Sequence, residues 1–172
     1  MAEQKCSFVA ILGAPNAGKS TLLNYIIGSK ISIVSPKVQT TRGKVRGIYI
    51  KDDTQLILVD TAGIFKPSRR LDRAMVAGAW TESDDADMRL VLIDAKKGID
   101  DNTNLIIQNL AKAKQKAVLA INKIDQVTPT KLAILAEAVG KMNLWSAIFY
   151  VSAKTINQIS IAESGVSIGY YI

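Results

Sequence analysis

Residues 13–20 read Gly13-Ala14-Pro15-Asn16-Ala17-Gly18-Lys19-Ser20, and no other stretch restricts the fold so tightly. The pattern G-x-x-x-x-G-K-[ST] is a backbone cradle for phosphate, and it works only between a buried strand and a helix. Both are in place. Phe8, Val9, Ala10, Ile11 and Leu12 form an apolar run before it, and residues 20–27 read as a helix that stops at Gly28. Glycines at 13 and 18 let backbone N–H groups close around an anion. The helix N-terminus adds partial positive charge. Lys19 is placed to reach β- and γ-phosphates, and the Ser20 hydroxyl to ligate Mg²⁺.

The rest of the chain repeats the strand–helix alternation. Residues 45–50 and 56–59 are apolar runs on either side of Lys51-Asp52-Asp53-Thr54, a polar turn, and read as an antiparallel hairpin. Residues 90–93, 118–121 and 148–151 are short, branched and apolar on all sides, as strands buried in a parallel sheet are. Helices fit at about 69–80, 101–114 and 129–141. The last has Thr128 as N-cap, Pro129 at its first position and Gly140 as its stop. Met75, Trp80, Leu105, Leu110, Leu132 and Leu135 are expected to pack. The fold class is therefore α/β, a doubly wound, mostly parallel sheet with one antiparallel edge strand. Such sheets bind ligands beyond the carboxyl ends of their strands.

Composition narrows the chemistry. The 172 residues include no histidine, which excludes a histidine base, a Ser-His-Asp triad and His-ligated zinc. Cys6 is the lone cysteine, so no internal disulfide forms, and it reads as a small residue at a strand start. No apolar run has the length of a membrane span, and the N-terminus lacks a secretory pattern, so a cytoplasmic protein is expected. The net charge of +7 permits an acidic partner without demanding one. Lys112, Lys114 and Lys116 suit a solvated helix end running into a strand. Asp84, Asp85 and Asp87, and the pair Asp100-Asp101, suit exposed helix ends rather than a metal cluster.

Three further motifs follow strands. Asp60-Thr61-Ala62-Gly63 follows 56–59. An acid there holds Mg²⁺ through water, and a glycine three residues on offers its N–H to a γ-phosphate. Asn122-Lys123-Ile124-Asp125 follows 118–121. The Asp125 carboxylate can accept from N1–H and the 2-amino group of guanine, donors that adenine lacks. The Lys123 stem can lie along the base, and Asn122 can tie this loop to the phosphate loop. Ser152-Ala153-Lys154 follows the last strand, where the Ala153 N–H can meet guanine O6. A site built to pair such groups rejects analogues without them, by roughly 10⁴ or more in favourable cases. The candidate nucleotide contacts are thus Gly13 through Ser20 with Thr21, Asp60 through Gly63, Asn122, Lys123, Asp125, Ser152, Ala153 and Lys154. GTP or GDP with Mg²⁺ is the expected cofactor set.

With these motifs the chain resembles the translation-factor-related GTPases, and within them it is most similar to the Era family. The resemblance rests on residues 13–24, on the stretch 30–42 that ends Gln39-Thr40-Thr41-Arg42, on Asp60 to Gly63 and on Asn122 to Asp125, and it covers residues 6–154. It implies a P-loop GTPase fold with a GTPase domain over 1–154 and a molecular-switch role of the ribosome-assembly type. It also implies that Thr40 or Thr41 closes on the nucleotide, Thr41 being favoured as the second hydroxyl ligand of Mg²⁺ beside Ser20 and Asp60. Residues 29–43 would be the first switch loop.

Ras-like GTPases orient water with a glutamine after D-x-x-G, whereas here the residue is Ile64. Catalysis is therefore expected from Lys19, Mg²⁺, Thr41 and the Gly63 N–H, by positioning and charge. The resemblance suggests Asn16 as a K⁺ ligand beside the phosphates. Family members continue into a KH module that binds small-subunit ribosomal RNA. Residues 155–172 do not follow that pattern: they hold one charged residue, Glu163, with Gly165 and Gly169 interrupting. An atypical tail is expected, with the last helix incomplete and at most a short one near 156–163. The KH module is read as missing, which weakens the expectation of RNA binding. The alternative reading is a guanine-nucleotide module that does not hydrolyse, or a remnant without the RNA role.

Overall fold

The computed structural model describes residues 5–28, 45–51, 54–153 and 160–162. Strand β1 (Lys5–Gly13) leads into helix α1 (Lys19–Ile27), and β2 (Val45–Lys51) and β3 (Thr54–Asp60) follow. Then come α2 (Arg70–Asp84), β4 (Met88–Asp94), α3 (Asp101–Lys112), β5 (Ala117–Asn122), a 3₁₀ turn (Ile124–Gln126), α4 (Pro129–Gly140), β6 (Trp145–Val151) and β7 (Ser160–Ala162).

These strands form one sheet in the order β2-β3-β1-β4-β5-β6-β7. β1 runs parallel to both β3 and β4, and β5 and β6 continue the parallel run. The chain enters mid-sheet, builds to one side through β3, then crosses to the other at β4. That reversal opens a crevice at the carboxyl ends of the central strands. Register brings those ends into line: Ile11 pairs with Asp60, Gly13 with Leu92, Asp94 with Asn122, and Asn122 with Val151.

Two apolar layers sandwich the sheet. Leu12, Ile64, Val91, Ile93, Leu119, Ile121, Leu110 and Val139 form one, built with side chains of α2, α3 and α4. Val9, Ile11, Leu22, Leu23, Leu58, Leu92 and Ala120 form the other, against α1. Burial on both faces is why the central strands read as unbroken apolar runs. Of the residues expected to pack, Leu110 and Leu135 are buried, while Trp80, Leu105 and Leu132 are partly so against the first layer.

The helix ends follow local chemistry. Asp100 caps α3 by accepting from the Thr103 N–H at 2.8 Å, and Thr128 caps α4 from Lys131 at 3.3 Å, with Pro129 in the first turn. Gly28 ends α1 in the left-handed region at φ 72°. Gly140 does not act as a stop. It is the last helical residue, and the helix closes at Lys141 in right-handed geometry with its N–H on Glu137 O. Asp84, Asp85 and Asp87 are exposed at the end of α2, as expected, and Asp87 accepts from the Phe8 N–H at 2.8 Å while Asp84 faces Arg89 at 3.7 Å. Cys6 is exposed on β1.

The doubly wound, mostly parallel sheet is as expected, with the β2–β3 hairpin as its antiparallel edge. The far edge differs. Residues 160–162 are not part of a helix near 156–163. They form β7, which pairs antiparallel with β6 through Phe149 and Ile161. Residues 155–161 are rich in β-branched side chains, which favour a strand over a helix, and an open strand edge offers their backbone groups a ladder. Among the described residues no helix is long and apolar enough to cross a membrane.

Candidate functional site

Gly13 ends β1 and Gly18 caps α1, so the phosphate loop spans the crevice between them. Gly18 sits at φ 101°, where L side chains are strained, and a Cβ there would run into the Asn122 side-chain amide. Among the four described α-helices only α1 has neither a side-chain cap nor an acid in its first turn. Its positive dipole end therefore faces the crevice with no anion of its own helix to offset it. This is the requirement for holding phosphate.

Lys19 is buried at the loop's centre. Its Nζ donates to Gly13 O and Ala14 O, each at 3.2 Å. Burial pushes its ammonium down from 10.5 to about 8, and the Asp60 carboxylate partly offsets that. The charge is thus held in a poorly solvated place that a phosphate would relieve.

Asp60, at the end of β3, is buried and accepts from the Ser20 hydroxyl at 2.5 Å. A hydroxyl and a carboxylate in contact are hard oxygen donors of the kind Mg²⁺ takes. Among the described residues no cluster of three or more carboxylates or thiols could hold a metal alone. The pair fits a Mg²⁺ whose remaining ligands are water and phosphate oxygens. Thr61 is buried, and its hydroxyl donates to Ile11 O at 2.7 Å. The N–H of Ile64 donates to Gly13 O at 3.0 Å, which ties the Asp60–Gly63 loop to the phosphate loop. Gly63 lies so close to Pro15 that a Cβ would sit 3.1 Å from its backbone. Ile64 itself is 0% exposed and part of the core, so it offers no side chain to water.

Asn122 joins the remaining loops. Its Nδ2 donates to Ala17 O at 2.9 Å, and its Oδ1 accepts from Lys123 N at 2.8 Å and Ala153 N at 2.9 Å. One buried amide therefore fixes the phosphate loop, the Asn122–Asp125 loop and the Ser152–Ala153 loop together. The Ala153 N–H is already engaged by Asn122. Asp125 is exposed at the crevice mouth and accepts from the Ser152 hydroxyl at 2.6 Å. Ser152, a candidate contact by sequence, thus orients Asp125. Asn16 is exposed at φ 63°, and its carbonyl accepts from Lys123 Nζ at 2.6 Å.

Thr41, the first-switch stretch 29–43 and Lys154 lie outside the described residues. Ala14, Pro15, Ala17, Thr21 and Ala62 lie in or beside the loops the sequence assigned them to. Sequence reasoning missed Asp94. It ends β4, is buried, and its Oδ2 accepts from Lys123 Nζ at 2.6 Å. No motif marks it. Only the acidic residue closing an apolar run, one strand over from Asn122, was there to be noticed.

Comparison with known proteins agrees with this arrangement. The model of the 50S ribosome-binding GTPase family matches residues 8–123. GTPase Era of Bradyrhizobium sp. is 52% identical over 152 residues, 88% of this chain and 49% of that protein. GTPase Era of Brucella suis is 49% identical over 151 residues, again 88% and 49%. Among solved structures, Era in complex with MgGDPNP and nucleotides 1506–1542 of 16S ribosomal RNA superposes with a TM-score of 0.81 at 38% identity, over 88% of this chain and 52% of that one. An Aquifex aeolicus Era variant bound to GDP and AlF4⁻ gives 0.79 at 39%, over 87% and 52%. The chain spans about half the length of the curated relatives it matches.

Proposed function

The chain belongs to the 50S ribosome-binding GTPase family, matching Era within it, and on that premise we propose a guanine-nucleotide switch that binds GDP and GTP and hydrolyses GTP slowly. The observation that carries the reading is the single Asn122 side chain bonded to Ala17, Lys123 and Ala153. It locks a phosphate cradle and a base slot into one site before nucleotide arrives.

Base choice rests with Asp125, held by Ser152 with its carboxylate at the mouth. It accepts from the two donors on guanine's edge, while adenine would leave it unpaired. Lys19 exchanges two carbonyl contacts for phosphate oxygens, and the amides at the start of α1 take the rest of the charge. Ser20 and Asp60, with Thr41 added, are the residues that would hold Mg²⁺, which neutralises phosphate charge when bound. The Gly63 N–H donates to the γ-phosphate. With Ile64 buried and histidine absent, neither the residue after Gly63 nor an imidazole serves as a base for the attacking water. Rate enhancement then comes from positioned donors and from the positive charge gathered at the phosphates. Asn16 is the residue we assign to a K⁺ ion beside the phosphates, on family resemblance.

Ribosomal RNA, which one structural neighbour holds, is the partner class to test, and the cytoplasm the location. The 1–154 span is proposed as the GTPase domain and 155–172 as an atypical tail. The direct test of activity is multiple-turnover phosphate release from Mg-GTP in K⁺ and in Na⁺. Slow release, faster in K⁺ and equal in both salts for Asn16→Ala, is the expected result. No release under either salt, from protein that binds GTP, refutes hydrolysis. Equal rates in the parent remove Asn16 from the mechanism.

A further inference from the structure

Lys123 is the residue whose stem forms one wall of the base slot, and its position is not set by its own loop. It stands at φ 63°, in the left-handed region, directly after β5. Its ammonium reaches back from there to two acceptors on other elements. Asn16 O in the phosphate loop lies at 2.6 Å, and Asp94 Oδ2 at the end of β4 lies at 2.6 Å. The Lys123 side chain is 26% exposed and that of Asp94 only 7%. A surface ion pair contributes little, but this one has a buried anchor with fixed geometry.

Asp94 is itself over-determined. The parallel register sets it beside Asn122. Its Oδ1 accepts from the Lys96 N–H at 2.9 Å, and its own carbonyl accepts from Lys97 and Gly98 N–H at 3.0 and 2.8 Å. Ala95 N–H donates to Asn122 O at 2.8 Å, joining the same two strand ends again. The two carboxylate oxygens therefore divide their contacts. Oδ1 closes the turn after β4, and Oδ2 holds the lysine.

We infer that Asp94 is a positioning residue for guanine binding, acting through Lys123. The inference rests on the reading that the Asn122–Asp125 loop takes a guanine base. A lysine stem has many rotamers in solution, and ordering it on binding opposes affinity. With the ammonium tethered to Asp94 and Asn16, the stem is already laid across the slot before nucleotide arrives. Removing the tether leaves Lys123 present but unordered.

Asp94→Asn separates the two contacts. The amide keeps one acceptor oxygen, enough for the Lys96 N–H, and loses the charge and the second acceptor that Lys123 uses. Asp94→Ser, which also retains an acceptor and withdraws the charge, is the second variant should the first not fold. GDP affinity with Mg²⁺ is measured by calorimetry for the parent, the Asp94 variant, Lys123→Met and the double variant. Lys123→Met keeps an apolar stem and removes the ammonium. The expected result is an about tenfold weaker GDP affinity for the Asp94 variant, and no further loss from it in the Lys123→Met background. A purely structural role for Asp94 would make the two losses multiply. Multiplying losses, or an Asp94 variant that binds GDP like the parent, overturn the inference. The underlying reading fails differently, with a parent that binds ADP as tightly as GDP.

Discussion

Lys19→Met should make the empty protein more stable while abolishing nucleotide binding. In the empty site the Lys19 ammonium is buried, with carbonyl acceptors at 3.2 Å and its pKa lowered to about 8 by desolvation. The ordinary value is 10.5. At about 1.4 kcal/mol per pH unit, keeping this charge in the folded state at pH 7 costs about 3 kcal/mol. Methionine has similar bulk and no charge. It forfeits two hydrogen bonds, but neither carbonyl is stranded: Gly13 O still accepts from Ile64 N–H at 3.0 Å, and Ala14 O from Ala17 N–H at 3.2 Å. That loss is about 2 kcal/mol for the two together. The net gain is about 1 kcal/mol, or about 0.5 M in urea midpoint for an m-value near 2 kcal/mol/M. The sign with pH is fixed by the lowered pKa. Between pH 8 and 10.5 folded Lys19 has shed its proton while the unfolded chain keeps it, so parent stability rises with pH. The gap between variant and parent should therefore be full at pH 7 and narrow above pH 8. Other titrating groups are common to both proteins and cancel in the difference. Urea unfolding of nucleotide-free protein from pH 7 to 10 reads this directly. A variant less stable than the parent at pH 7, or a gap that does not change with pH, would refute the argument that the phosphate site is held under electrostatic strain.

Two more outcomes follow from the site. Asp125→Asn should shift preference from guanine to xanthine nucleotides, since a ring N–H beside a C2 carbonyl pairs with an amide, as competition binding with XDP and GDP would read. Gly18→Ala should destabilise the fold by about 1–2 kcal/mol through its left-handed backbone, and drive the new methyl into Asn122. Urea melts and GDP titration should both register the change.

The sequence disclosed the centre of the sheet and obscured its margins. Runs such as 90–93 and 118–121 were legible because both faces of those strands are buried. β4 begins earlier, at Met88, which is exposed, followed by the half-buried Arg89, whose charge interrupts the apolar pattern before Leu90. Gly140 misled because glycine is common just past a helix end, yet here the last turn closes through Lys141 and needs no left-handed residue. β7 was unreadable, since three residues become a strand only by meeting the β6 edge. The nucleotide loops were readable one by one because each motif follows a strand. Their joining was only partly so. Asn122 reaching Ala17 was expected from its motif, whereas Asp94 holding Lys123 depends on the parallel register between β4 and β5, and Ser152 holding Asp125 depends on β6 lying beside β5.

A single joined site that reads phosphate and guanine together should separate GDP from ADP in calorimetric titration with Mg²⁺. GDP should bind tightly and ADP more weakly by a factor of roughly 10⁴, with both lost in Lys19→Ala. Equal affinity for the two nucleotides, or GDP binding that survives Lys19→Ala unchanged, would contradict it.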